Sequence, residues 1–179
     1  MTNCEQPTCK SVLIHASAVE YKGKGLIFLG PSGTGKSTIS QLLASTIEDV
    51  RVLADDNVNL DWQTADGWIV SDAKPGPLRE VPGVQNTPIS APVPLRAIFR
   101  LHQAPLPRLE SLRSLEVGRH LINAFVEAIP HHQYVRIEEI KSAFASLSVV
   151  AKCLPGYEFY CAHSAQTADV LLQKLNIIV

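Results

Sequence analysis

Nothing in the 179 residues approaches the run of about 20 apolar residues that a membrane-spanning helix needs. The first ten, MTNCEQPTCK, hold no basic segment leading into an apolar core, so no secretory signal is read there. Charge of one sign is also missing. Sixteen Lys and Arg against seventeen Asp and Glu leave a net charge of −1, and nothing global attracts nucleic acid or an anionic membrane. Neither the four cysteines nor the six histidines show zinc-ligand spacing on a shared element. Cys4, Cys9, Cys153 and Cys161 are therefore read as free thiols in a reducing compartment, the last two as small core residues. No N-K-x-D run for guanine, no L-S-G-G-Q run, no internal repeat and no low-complexity tract occurs. The expectation from these absences is a cytoplasmic globular chain, long enough to bury one real core.

What is present is concentrated in residues 26–38, LIFLGPSGTGKST. Leu26-Ile27-Phe28-Leu29 reads as a short strand. The next residues fit G-x-x-x-x-G-K-[ST], and Ile39, Leu42, Leu43 and Ile47 then fall on one face of a helix. Strand, glycine-rich loop and helix are the setting that such a motif requires. Glycines let successive N–H groups turn inward around an anion, and the helix N-terminus adds partial positive charge. Lys36 brings a full charge to the β- and γ-phosphates, and the Ser37 hydroxyl is placed to ligate Mg²⁺. Gly30, Pro31, Ser32, Gly33, Thr34, Gly35, Lys36, Ser37 and Thr38 are the expected ATP-binding set.

Residues 1–10 read as a loose lead-in to a single domain over 11–179. Residues 11–21, SVLIHASAVEY, read as one strand, followed by a turn at Gly23-Lys24-Gly25, so a hairpin precedes the phosphate loop. A helix at about 35–47 leads to a strand at 50–54. A second hairpin, 57–62 with 67–71, turns around Thr64-Ala65-Asp66-Gly67. Residues 75–107 hold eight of the twelve prolines, which argues against a long helix or a central strand there. Within that stretch 95–101 alternates as a strand, and 75–94 is the expected acceptor-side loop. Apolar periodicity predicts helices over 109–129 and 136–152, then a strand at 157–162 and a helix at 165–175. The fold class is α/β, a mixed sheet flanked by helices.

Asp55 and Asp56 close the strand after the phosphate-loop helix, where an acidic residue faces the nucleotide's metal. Adjacent carboxylates on a regular strand point to opposite faces, so both reach the site only if the strand breaks there. One then holds the metal shell while the other takes a proton from an attacking hydroxyl. His15 sits alone among aliphatics. His102, His120, His131, His132 and His163 suggest no metal site. Arg79 lies in the proline-rich segment with Lys74 nearby, where a basic residue can fold over a γ-phosphate.

The order of His15 strand, hairpin, phosphate loop, helix and Leu53-Ala54-Asp55-Asp56-Asn57-Val58 resembles the catalytic domain of HPr kinase/phosphorylase. That serine kinase family is related in fold to phosphoenolpyruvate (PEP) carboxykinase, and the short stand-alone proteins similar to it are the nearer match. The resemblance is good over residues 11–60. A weaker echo follows at Pro94–Leu101 and in the last strand and helix. It implies that Lys36 binds the phosphates, that Asp55 is the general base and that His15 is a catalytic-site residue. Ser37 and Asp56 are then left to the metal. The family's E-I-R-G-L-G signature is absent, and Glu80 is the nearest replacement for its glutamate. The bifunctional relatives form rings, so a homo-oligomer is compatible with the resemblance.

The expected function is transfer of the γ-phosphoryl group of ATP, with Mg²⁺, to a hydroxyl, serine first, of a protein, peptide or small molecule. Neither nucleic acid nor membrane is an expected partner. The alternatives are a non-catalytic nucleotide-sensing module and, ranked last, a hydrolytic ATPase.

Overall fold

The computed structural model describes residues 6–64, 67–73, 91–130, 134–162 and 164–178. The stretch expected to be one strand is two, β1 (Ser11–His15) and β2 (Ser17–Tyr21), because its halves pair with different neighbours. β1 pairs antiparallel with β5 (Asn57–Gln63), whereas β2 lies between β3 (Lys24–Leu29) and β4 (Val50–Ala54). Small, fully buried Ala16 and Ser17 sit at the break. The β2–β3 turn falls on Lys22-Gly23, one residue earlier than expected, with φ of 49° and 73°, the positive pair that suits a two-residue hairpin.

α1 (Lys36–Thr46) follows β3. After β4 and β5 come β6 (Gly67–Asp72), β7 (Val93–Gln103), β8 (Arg108–Leu112), α2 (Ser114–Ala128), α3 (Ile137–Cys153), β9 (Gly156–Cys161) and α4 (Ala165–Ile178). Among the described residues nine strands form one mixed sheet in the order β1-β5-β6-β7-β3-β2-β4, with β9 also on β7 and β8 on β9. β7 runs parallel to β3 and β9 and antiparallel to β6. It is therefore central, which overturns the expectation drawn from its prolines. Pro94 is its second residue, opposite Ile69, at a strand start where a missing N–H is tolerated.

The helix expected from residue 109 begins at Ser114, because 108–112 pair antiparallel with β9. Leu115, which contributed to the helical pattern, is 82% exposed, while Val117, Leu121 and Ala124 carry the buried face. The expected acceptor loop at 75–94, with Arg79 and Glu80, and Lys74 beside it, fall largely or wholly outside the described residues. So do His131, His132, His163 and the tip of the second hairpin.

β3 explains the placing of the site. Leu26 and Phe28 belong to a core shared with Ile39 and Leu43 of α1 and Phe99 and Leu101 of β7, while Ile27 and Leu29 belong to a second one that includes Leu121 of α2 and Leu147 of α3. A strand buried on both faces reads as a continuous apolar run. Phe99 stacks on Phe28 and on Tyr157, each at a centroid distance of 5.5 Å. Such pairs add roughly 0.5–1.5 kcal/mol beyond area burial, so the strand entering the loop is held on both sides.

The lead-in is tied at its end. Cys9 N–H donates to Ser146 Oγ at 2.8 Å, and Lys10 O accepts from Trp62 N–H at 2.7 Å. Cys9 and Cys161 are free thiols. Cys153 is disulfide-bonded, which overturns the free-thiol expectation for that residue. Among the described residues no helix is long and apolar enough to cross a membrane.

Candidate functional site

The buried end of β3 delivers the chain into loop 30–35, which bends on two left-handed glycines, Gly33 at φ 80° and Gly35 at φ 97°. Gly35 is the N-cap of α1 and supplies no side chain there, so the helix's first N–H groups are left for an outside acceptor. Thr34 N–H donates to Pro31 O at 3.2 Å, and its hydroxyl bonds the same carbonyl, which closes the loop on itself.

Lys36, the first residue of α1, folds back into the loop and is only 7% exposed. Its Nζ donates to Gly30 O at 2.7 Å and to Pro31 O at 3.3 Å, and contacts His15 Nε2 at 2.9 Å. Burial lowers its pKa. The charges of Glu127, Asp56 and Asp55 oppose that shift, and Arg100 adds to it. An ammonium has donors only, so His15 must accept at Nε2 and carry its proton on Nδ1. That nitrogen lies 3.3 Å from Asp56 Oδ1. Asp56, His15 and Lys36 thus form one chain of contacts.

The two carboxylates reach one cleft because β4 stops at Ala54 and Asp56 adopts φ 80°. This left-handed conformation is uncommon for a side-chain-bearing residue and is best tolerated by Asn and Asp. The kink cancels the strand's alternation. Ser37 Oγ donates to Asp55 Oδ1 at 2.7 Å, and Asn57 Nδ2 donates to Asp56 Oδ2 at 3.0 Å. Ser37 therefore faces Asp55 and His15 faces Asp56, whereas the expectation from the sequence grouped Ser37 with Asp56.

His15, Lys36, Ser37, Asp55 and Asp56 line a cleft of about 270 Å³ with Ser32, Gly33, Gly35 and Thr38. The rest of the loop turns away. Gly30 and Pro31 border a second, water-sized cavity with Arg100, Asn123 and Glu127, and Thr34 faces Gln103 of β7. Asn57, Arg100, Gln103 and Glu127 were not picked out from the sequence. Gln103 Nε2 donates to Gly33 O at 3.4 Å. The signal for Arg100 and Gln103 is positional, since both sit toward the C-terminal end of a strand parallel to β3, where open α/β sheets bind ligands.

The hydroxyl of Ser37 and the carboxylate of Asp55 are hard oxygen donors that suit Mg²⁺. Among the described residues no group of three or more His, Cys, Asp or Glu is arranged to hold a metal ion. An ion here would therefore complete its shell with water and phosphate oxygens, as Mg²⁺ does at nucleotide sites.

Proteins of curated function give no match to this chain. Among solved structures, the HPr(Ser) kinase/phosphatase from Coxiella burnetii is 14% identical, with a TM-score of 0.49 over 92% of this chain and 96% of that chain. At that level the likeness carries no argument about this chain's chemistry. The family described as SynChlorMet cassette protein ScmC matches residues 4–166, nearly the whole length. The chain belongs to the ScmC family.

Proposed function

We propose that this chain is an ATP-dependent phosphotransferase that moves the γ-phosphoryl group to a hydroxyl, a serine first, within a PEP-carboxykinase-like P-loop fold. One observation carries the reading. A buried cation on a phosphate-loop motif and a carboxylate suited to accept a proton meet through a single histidine. A site that only held nucleotide would need the cation but not the His15–Asp56 pair.

The assignment follows from the contacts. Lys36 leaves the carbonyls of Gly30 and Pro31 for the phosphates, a stronger, charged acceptor. Ser37 and Asp55 hold Mg²⁺, which when bound neutralises charge on the transferring group. Asp56, held by His15 and Asn57, takes the proton of the acceptor hydroxyl. The hydroxyl oxygen bonds to the γ-phosphorus while the bond to the β-phosphate oxygen breaks, and ADP leaves with that electron pair. On this reading the general base is Asp56 and the metal's carboxylate is Asp55, the reverse of the roles the family resemblance implied.

The test is transfer from γ-labelled ATP with Mg²⁺ to a panel of free serine, serine peptides and the proteins encoded in the same cassette. Label on a hydroxyl supports the reading. Nucleotide binding without transfer to any acceptor favours a sensing module, and release of inorganic phosphate alone favours a hydrolase.

A further inference from the structure

We infer that the acceptor is an extended peptide segment that adds as an antiparallel strand to the free edge of β1 and so carries its serine to His15 and Asp56. The inference rests on the phosphotransferase reading and names its substrate class.

The argument starts from which backbone groups of β1 are already used. Lys10 O accepts from Trp62 N–H, and Ala16 N–H donates to Asp56 O. Both pairs keep the register of the β1–β5 ladder, in which Val12 faces Leu60 and Ile14 faces Val58. Antiparallel ladders alternate, so residues 10, 12, 14 and 16 spend their N–H and C=O groups on β5. Ser11, Leu13 and His15 turn theirs off the sheet. Among the described residues β1 ends the sheet and pairs with β5 alone. Ser11 O accepts from the Cys9 thiol, while Leu13, with 37% of its surface exposed, presents a donor and an acceptor to whatever docks. An exposed row of this kind is a template for a further strand.

This edge is continuous with the candidate site. Its last residue, His15, is a wall of the reaction cleft. At its other end the edge borders a mainly apolar groove of about 390 Å³ between β1 and the facing ends of α2 and α3, walled by Phe125, Ile129, Pro130 and Val135, with Glu139 also in its lining. Ser11, Val12 and Leu13 border the groove from β1, and its helix walls lie on the face of Val12, the one covered by α2 and α3.

Register then makes the proposal specific. A residue placed opposite His15 has its side chain on the same face as His15, toward Lys36 and Asp56, and that is where a reacting hydroxyl must be. In antiparallel addition the first and third residues after the serine lie opposite Ile14 and Val12 and point to the groove face. The second lies opposite Leu13 and exchanges hydrogen bonds with it. The fitting acceptor is a serine followed by apolar residues at +1 and +3 in an extended stretch, with a free N–H at +2. A small hydroxyl compound would use none of this edge.

The probe is a fluorescent nonapeptide library with a fixed central serine, read by anisotropy and by transfer from labelled ATP. Apolar residues at +1 and +3 should be selected, and N-methylation at +2 should weaken binding about tenfold or more, the scale of one lost buried hydrogen-bonded contact. N-methylation at +1, whose N–H faces away, should have little effect. Leu13→Pro removes the outward donor without removing a β1–β5 bond, and Ile129→Glu puts a carboxylate in place of an apolar wall of the groove. Both should weaken peptide binding and leave ATP·Mg²⁺ binding unchanged.

The inference is overturned by equal binding of peptides with polar residues at +1 and +3, by indifference to N-methylation at +2, or by phosphorylation of free serine as readily as the peptide. It is also overturned if this edge proves to be a self-association surface, with Leu13→Pro turning a dimer into a monomer and no peptide bound. Peptide binding in the expected register without phosphoryl transfer to any acceptor would instead overturn the phosphotransferase reading and leave the docking site standing.

Discussion

His15 Nε2 lies 2.9 Å from Lys36 Nζ across 21 positions of sequence, and the contact fixes the histidine's tautomer. The imidazole is an acceptor toward Lys36 and a donor toward Asp56. His15→Leu leaves a buried ammonium short of one acceptor and should cost about 1–2 kcal/mol of stability. His15→Gln, which can still accept from Lys36, should recover most of it. Thermal unfolding of the two variants, without nucleotide, checks the order.

Lys36 carries a desolvation cost in the folded chain. Its pKa is lowered chiefly by burial, so between that lowered value and the ordinary 10.5 the unfolded chain binds more protons and stability rises with pH. Lys36→Met removes the desolvated charge. It should raise the melting temperature by roughly 2–4 °C, as relief of about 1 kcal/mol does in a chain of this size, while abolishing ATP binding. Wild-type protein should also take up protons on binding ATP in alkaline buffer, because an anion restores the lysine's charged form. Calorimetry in buffers of different ionisation enthalpy reads that uptake.

Two glycines should respond in opposite ways to alanine. A Cβ on Gly156 would lie 2.2 Å from Val117 Cγ2, where α2 presses on β9, whereas a Cβ on Gly118 would meet Ala151 Cβ at an ordinary 3.6 Å. Gly156→Ala should destabilise by about 1–3 kcal/mol through overpacking. Gly118→Ala should stabilise by roughly 0.5–1 kcal/mol through helix propensity. Urea titration of both variants gives the two signs.

Acid should destabilise the fold partly through His120. Burial holds its pKa below the usual 6.5, with Arg100 adding to the shift and Glu158 opposing it. The unfolded chain then binds more protons once the pH drops below 6.5, and stability falls from there toward the lowered folded value. His120→Gln should flatten that part of the stability-versus-pH curve.

The loop, its helix and the Asp pair were legible because each is a local pattern: spacing around Lys36, periodicity through Ile39 and Leu43, and an apolar strand ending at Asp55. The break at Ala16 was not. Ser11 to Tyr21 is locally uniform, and only the different partners of its halves divide it. β8 was hidden for the same reason, since Leu109 and Leu112 fit a helix until β9 claims their backbone. Local spacing marked both aspartates but could not tell which one Ser37 faces. That follows from the left-handed turn at Asp56, a conformation open to either aspartate, so that residue type alone does not say which of the two adopts it.

The separation of roles between Asp55 and Asp56 is tested most directly by kcat for phosphoryl transfer, at saturating ATP and Mg²⁺, in Asp56→Asn and Asp55→Asn. Asp56→Asn should lower kcat by about 10²–10⁴, the range of a lost general base, with the Mg²⁺ requirement unchanged. Asp55→Asn should raise the Mg²⁺ concentration needed for half-maximal rate, and added Mg²⁺ should recover much of the loss. Full kcat in Asp56→Asn, or a loss in Asp55→Asn that no Mg²⁺ concentration relieves while Asp56→Asn is relieved, would contradict the account.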